Sequence, residues 1–269
     1  MSGRRRMSER LDAALVRRAL VATLERAIEE IRAGNVLVDD TVTDKPGVRV
    51  SEEASLRLRT APRRYVSRGG LKLEAALDAF AVDPGGRACV DLGASTGGFP
   101  ACLLQRGAAR VFAVDVGYGQ LAWTLRQDAR VVVMERTNAR QLTTLSEPVD
   151  FVVGDLSFVS IRRMLPAIRS LLAGGGDAVI LVKPQFEVPK SQIAVGGVVV
   201  DEHARAEALS CVEDASREAG FSVVAHLESP VLGARAGNRE WLLHLVVPHA
   251  AAPVGSPSHE TPGRHGGLR

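Results

Sequence analysis

The sequence predicts an α/β protein: a mainly parallel, seven-stranded sheet covered by helices on both faces, with a small α+β unit in front of it. Three observations carry this. From Arg87 onward, short apolar runs alternate with segments of helical period. Those runs are nearly continuous rather than alternating with polar residues, the mark of strands buried on both faces. Ahead of them lies a different pattern, two helical segments and then three brief β-type runs.

In chain order, Leu11, Leu15, Val16, Ala19 and Leu20 recur at helical spacing, and Leu24, Ala27, Ile28 and Ile31 form a second helix that Gly34 stops. Val36–Val38, Val48–Val50 and Leu56–Arg59 are the β-type runs, with Asp39 and Asp40 at a turn between them. These make a unit spanning 8–60. Residues 61–68 are a connector, where Pro62 breaks structure and charge keeps the chain in water. Residues 69–248 form the large domain. It opens with a helix carrying Leu73, Ala76, Leu77 and Phe80 on one face. Strands follow at Ala88–Leu92, Val111–Asp115, Val131–Met134, Phe151–Val153 and Ala178–Val182. A helical pattern covers Ile161 to Leu172, and two late strands, around Phe221–Leu227 and Trp241–Val247, finish the sheet. Residues 249–269, rich in Pro, Gly, Ser and His, read as a disordered tail.

With 46% apolar residues over 269 positions, the chain is globular and long enough for a substantial core. Aromatics are 4%, which argues against a large aromatic stacking surface for single strands. The net charge is only +3, but it is unevenly placed. Ala54 to Leu73 holds no acid, yet contains Arg57, Arg59, Arg63, Arg64, Arg68 and Lys72. Arg4, Arg5, Arg6, Arg10, Arg17 and Arg18 crowd the start. Clustered basic character suits a polyanion; an arginine-rich solvated surface is the alternative. Cys89, Cys102 and Cys211 show no metal-ligand spacing, and inert core thiols in a reduced, cytoplasmic protein account for them. No segment approaches the roughly 18 apolar residues of a membrane span. The basic N-terminus has no apolar secretion core.

Asp91-Leu92-Gly93-Ala94-Ser95-Thr96-Gly97-Gly98-Phe99 sits where the first strand of the large domain hands over to a helix. Glycines there let the backbone turn sharply and approach a ligand, and open α/β sheets bind ligands at strand carboxyl ends. The pattern lacks the glycine pair that seats a pyrophosphate, and Asp91 would repel one. S-adenosylmethionine has no phosphate, and its ammonium and sulfonium would attract that carboxylate. Asp115, ending the next strand, can accept hydrogen bonds from a ribose diol. A tight strand–helix turn without a ligand is the competing account.

Asp155 follows the fourth strand and Lys183 ends the fifth, so both face the same crevice. Lysine seldom ends an apolar strand for packing reasons, because its burial is costly unless paired; reaching solvent or a surface acid is the alternative. A hydroxyl losing its proton during methyl transfer needs a base, and a lysine beside a second cation, here Lys72, can serve. Asp155 and Glu240 would orient the two ammoniums while opposing their deprotonation.

The segments Ser67–Leu73, Asp91–Phe99, Asp115–Trp123, Glu135–Arg140, Asp155–Ser160, Lys183–Glu187 and Gly237–Glu240, in this order, resemble the TlyA family. These are FtsJ-like ribosomal RNA 2′-O-methyltransferases, some of them named hemolysins. The resemblance implies a Rossmann-like, seven-stranded, S-adenosyl-L-methionine-dependent methyltransferase fold behind an N-terminal S4-type RNA-binding domain. It implies methylation of cytidine 2′-hydroxyls and a ribosomal RNA or ribosomal subunit as partner. It puts a Lys-Asp-Lys-Glu tetrad on Lys72, Asp155, Lys183 and Glu240. Cofactor positions fall on Asp91, Gly93, Ser95, Gly97, Asp115, Asn138 and Asp155, and no metal is implied. Candidate RNA contacts are Arg10, Arg17, Arg18, Arg63, Arg64 and Arg68. Two departures stand out: S4 modules open their second helix with Ser-Arg where this chain has Thr23-Leu24, and end a turn in Gly where it has Asp40. A methyltransferase for a small molecule or another substrate is the rival reading. A membrane-lytic protein is disfavoured by the lack of an amphipathic helix with a broad apolar face.

Overall fold

The computed structural model describes residues 8–59, 64–233 and 237–249. A short strand that the sequence reading did not anticipate, β1 (Ser8–Arg10), runs into helix α1 (Leu11–Arg17), and α2 (Leu24–Arg32) follows. Thr23 caps α2: its backbone is extended and its hydroxyl accepts the Arg26 amide at 3.2 Å. A serine would make the same bond, so the departure from Ser-Arg keeps the cap and loses only the arginine. Gly34, at φ +63°, closes the helix; its amide reaches the Ile31 carbonyl at 2.7 Å and that of Asn35 reaches Glu30 at 2.8 Å. That double bond pattern needs a left-handed residue, here glycine.

Strands β2 (Val36–Val38), β3 (Thr41–Thr43), β4 (Arg49–Ser51) and β5 (Leu56–Leu58) complete the small unit. β3, β2 and β5 form an antiparallel sheet, and β1 pairs with β4. Asp39 and Asp40 both lie in the left-handed region, at φ +47° and +63°, as a two-residue hairpin turn requires. This explains the glycine that S4-type turns prefer. Asp39 offsets part of the strain by accepting the Ser55 amide at 2.8 Å. Leu11, Ala14, Leu15, Ala27 and Ile31 pack on Val36, Val50, Ala54 and Leu56 in a core of their own.

The larger unit begins with α3 (Gly69–Phe80), β6 (Ala88–Leu92), α4 (Gly98–Gln105) and β7 (Arg110–Val114). Then come α5 (Trp123–Arg126), β8 (Val131–Met134), β9 (Val149–Gly154), α6 (Leu165–Leu171), β10 (Leu172–Val182) and α7 (Pro184–Glu187). α8 (Glu202–Glu218), β11 (Ser222–Glu228) and β12 (Trp241–Val246) end it. The seven strands lie in the order β11-β12-β10-β9-β6-β7-β8, and among them only β12 is reversed. Strand alternation splits the core. Phe151 and Val153 join Leu73, Leu77, Cys102 and Leu103 on one face. Val152 joins Leu165, Ile168, Leu209 and Val212 on the other. β6 lies between β7 and β9, so the chain leaves it in both directions. Such a switch opens a crevice at the strand carboxyl ends.

Four expectations are revised. The helix expected over Ile161–Leu172 begins later: Ile161–Arg163 is a 3₁₀ turn, and α6 starts at Leu165 with Pro166 in its first turn. Proline lacks the amide that a helix interior needs and fits only near the start. The fifth strand begins at Leu172, with a register shift across the glycines before Asp177. Tyr65 and Val66, assigned to a solvated connector, pack on the larger unit; Tyr65 is buried where Gly70 has no side chain, and a Cβ there would lie 2.3 Å from its ring. Cys89 and Cys102 are buried, but Cys211 is exposed on α8 because it faces away from the sheet. The expected tail, from 250 onward, lies outside the described residues. Among the described residues no helix is long and apolar enough to cross a membrane.

Candidate active site

The start of α3, the carboxyl ends of β6, β9 and β10 and the segment ahead of β12 meet at one cleft of about 890 Å³, lined among others by Lys72, Asp91, Ser95, Asp155, Lys183 and Glu240, with Arg32 and Val42 of the small unit also at its edge. β6 ends in Asp91, which is 1% exposed, and neither carboxylate oxygen has a hydrogen-bond partner among the described residues. Burial, then the negative charge of Asp155 and Asp115, pushes its carboxyl well above the ordinary range. The loop after it turns through Gly93 at φ +92° and Gly97 at φ +97°. A Cβ on Gly93 would sit 2.9 Å from the Asp155 carbonyl, and one on Gly97 would strike Leu125. Asp115, at the end of β7, accepts amides from Ser95 at 2.8 Å and Gly117 at 2.6 Å, which fixes the loop's height over the sheet.

The catalytic candidates meet as two ion pairs. Lys183, at the end of β10, has its Nζ 2.5 Å from Oδ1 of Asp155, at the end of β9, and also donates to Ser157 Oγ at 2.8 Å. Burial opposes ionisation of Asp155, but the Lys183 and Lys72 ammoniums outweigh it and hold its carboxyl below the usual range. Lys72, on α3, donates to Glu240 at 2.5 Å, just ahead of β12. Both members of that pair are over nine-tenths buried. Lysine–carboxylate pairs, buried or partly buried, add little net stability, so two of them lining one cleft point to chemistry.

Not every predicted residue lines the cleft. Asn138 is exposed; its amide oxygen caps a short 3₁₀ turn by accepting the Arg140 amide at 3.0 Å. It stands beside Asp115 through Thr137, whose amide bonds the Asp115 carbonyl at 2.9 Å. Of the arginine candidates, Arg68 borders the cleft. Arg10 pairs with Asp12 and Arg17 with Glu9. Arg18 donates to the carbonyls of Ala54, Ser51 and Glu52, and Arg64 pairs with Glu74. Arg63 lies outside the described residues.

Three of the chain's seven phenylalanines, Phe99, Phe158 and Phe186, line the cleft, which the low aromatic content did not suggest. Phe158 is 74% exposed at φ +66°, with its ring centroid 5.5 Å from that of Phe186. A bulky exposed side chain in a left-handed conformation is strained, and such strain concentrates at ligand sites. Among the described residues no group of three or more His, Cys, Asp or Glu could hold a metal ion.

Residues 65–246 match the model for the FtsJ-like methyltransferase family. The chain is 50% identical over 239 residues to the 16S/23S rRNA (cytidine-2′-O)-methyltransferase TlyA of Mycobacterium tuberculosis, covering 88% of this chain and 89% of that protein. The chain belongs to the TlyA group of FtsJ-like methyltransferases. It is likewise 34% identical to Hemolysin A of Brachyspira hyodysenteriae, over 88% of this chain and all of that protein. A solved hemolysin-named structure from Streptococcus thermophilus superposes with a TM-score of 0.68 at 39% identity, covering 93% of both chains. Members of one family thus carry either name, and family membership makes this chain a methyltransferase.

Proposed function

We propose that this chain transfers a methyl group from S-adenosyl-L-methionine to a ribose 2′-hydroxyl, that of a cytidine in ribosomal RNA, in the cytoplasm. The observation that carries the proposal is the pairing of Lys183 with Asp155 and of Lys72 with Glu240 in the same cleft as the unpartnered Asp91 carboxylate. The ribosomal substrate is the one named for the M. tuberculosis relative at 50% identity.

Asp91 supports the choice of cofactor. A buried carboxylate without a donor fits a cationic ligand and repels a phosphate. Gly93, Ser95 and Gly97 would shape the bed beneath it; Asp115, whose oxygens accept the Ser95 and Gly117 amides, would take a ribose diol as a further donor, and Asn138 and Asp155 would complete the cofactor set. When bound, the cofactor supplies an electrophilic methyl group on a sulfonium.

The protein must hold a hydroxyl in line with that methyl and accept a proton as the new C–O bond forms. Lys183 is the group that takes the proton. Asp155 and Ser157 fix the direction of its Nζ, and the neighbouring Lys72–Glu240 pair adds a second fixed group to the cleft lining. Much of the rate then comes from positioning. Phe158 and Phe186 line the cleft with their ring centroids 5.5 Å apart, and aromatic rings of this kind can stack a nucleobase. Residues 8–60 act as the S4-type RNA-binding module, residues 61–68 as the connector and 69–248 as the methyltransferase domain. Arg68, at the cleft, and the arginine clusters around Arg10, Arg17, Arg18, Arg63 and Arg64 supply positive charge for phosphates.

The deciding experiment is to map ribose methylation on ribosomal RNA from cells lacking this protein, before and after adding it with labelled cofactor. One new 2′-O-methylcytidine that Lys183→Met fails to produce is the expected result. Label appearing only on protein or small molecules would refute the proposal.

A further inference from the structure

We propose that Glu187 is a positioning residue that clamps the loop carrying Asp155 to the loop carrying Lys183; this rests on the proposed roles of those two residues. The Glu187 side chain is 1% exposed. Its carboxylate accepts the Ser160 hydroxyl at 2.6 Å, the Ile161 amide at 2.6 Å and Arg162 Nε at 3.2 Å. Arg162 also donates to the Glu187 carbonyl at 3.1 Å.

All of these donors lie on the segment that leaves β9, and Glu187 lies on the one that leaves β10. β9 and β10 are paired neighbours up to Gly154 and Ile180. The sheet therefore fastens the two loops at their roots, and Glu187 fastens them at their far ends. Between these fixed points lie the Lys183–Asp155 contact of 2.5 Å and the Lys183–Ser157 contact of 2.8 Å. The strained Phe158 backbone lies in the same closed ring. A strained conformation persists only where its surroundings over-determine it, and the clamp supplies that constraint two residues away. Glu187 has no place in the cleft lining; it acts through the geometry of its neighbours.

The test is amine labelling of the full-length, cofactor-free protein by reductive methylation, read residue by residue by mass spectrometry. Lys183 reports on the clamp. Lys72, paired with Glu240 on other elements, reports on general loosening. Exposed Lys190 normalises the reagent. In Glu187→Ala, Lys183 is expected to label about fivefold faster or more, since a lost buried acceptor shifts local opening by about 1 kcal/mol or more. Lys72 stays unchanged, and Glu187→Gln, which keeps one acceptor oxygen, falls between. If Glu187→Ala does not fold, Ser160→Ala removes one strut of the clamp and is expected to show the same selective rise. An unchanged Lys183 rate in a folded variant overturns the proposal. So does an equal rise at Lys72, which marks a structural role only. In turnover, the clamp predicts a fall in kcat of about tenfold to a hundredfold with cofactor affinity retained. Labelling is independent of substrate: if the wild-type protein methylates no ribosomal RNA, the functional reading falls while the clamp is still judged.

Discussion

Asp91 sets function against stability in a single side chain. Its carboxyl titrates well above the ordinary range because burial and two neighbouring acids disfavour the anion. A group whose folded value is raised contributes stability that is full below its unfolded value, about 3.9, and is lost as pH rises through the folded value. At neutral pH the empty site is thus strained by this residue. Asp91→Asn is expected to raise the melting temperature of the cofactor-free protein while weakening S-adenosylmethionine binding. The linkage also fixes the sign of the pH dependence. A cationic ligand favours the carboxylate, so binding releases a proton while the site is still protonated, and affinity rises with pH. Calorimetry in buffers of different ionisation enthalpy, repeated over a range of pH, measures that proton; no release from the wild type at any pH, or equal release from Asp91→Asn, would contradict the assignment. Lys183→Met tests the other half of the site. Removing a general base lowers turnover by about 100- to 10,000-fold, with cofactor affinity nearly intact. Unchanged turnover would reject Lys183 as the base.

At the level of elements, β2, β4, β5 and the two helices of the small unit were legible because each carries its own period, whereas the three-residue strands β1 and β3, and the end of α1 at Arg17 ahead of the left-handed Ala19, were not. β6, β7 and β9 are apolar runs on an alternating backbone, so their ends, and hence Asp91, Asp115 and Asp155, could be placed before any coordinates. What stayed hidden depends on partners distant in the chain. Arg18 looks like a free cation, yet it is spent on carbonyls more than thirty residues away. Arg64 is held by Glu74 across the start of α3. Phe158 lies in the Asp155–Ser160 motif, but its exposed side chain on a left-handed backbone is something no hydrophobic pattern encodes. The split of the expected Ile161–Leu172 helix was visible in Pro166 and was outweighed by the apolar period around it. The junction of β6 and α4 gives a sharp test of the loop. Gly97→Ala puts a Cβ 2.1 Å from Leu125 at φ +97°. Left-handed backbone and overpacking each cost about 1 kcal/mol or more. Urea unfolding should therefore show a loss of about 2 kcal/mol or more, together with weakened cofactor binding. A neutral outcome would mean that the loop has room to shift and does not hold the cofactor rigidly.

For the whole molecule, what matters is whether the small unit is a separable device for gripping RNA. Its apolar core, built on Leu11, Leu15, Ile31 and Val36, shares no member with the two clusters that flank the large sheet. Each unit buries its own apolar face, so neither needs the other's core to fold. Removing residues 1–60 is therefore expected to leave a cooperatively melting methyltransferase domain that still binds cofactor, because Tyr65 and everything after it stay in place. The loss should fall on RNA. Phosphate contacts release counterions, so the logarithm of affinity falls linearly with that of salt, by about 0.7 to 0.9 per contact. A module that grips phosphates makes the full-length chain the more salt-sensitive of the two, with the gap in slope counting the contacts it supplies. The internal pairing of Arg10 and Arg17, and the bonding of Arg18 to backbone carbonyls, keep that count below the number of arginines in the removed segment. Parallel slopes for the two proteins on the same ribosomal RNA would show that the module contributes no phosphate contacts, and that the charge near the cleft, Arg68 included, carries the binding alone. Insoluble product from the truncation would show instead that the two cores fold as one.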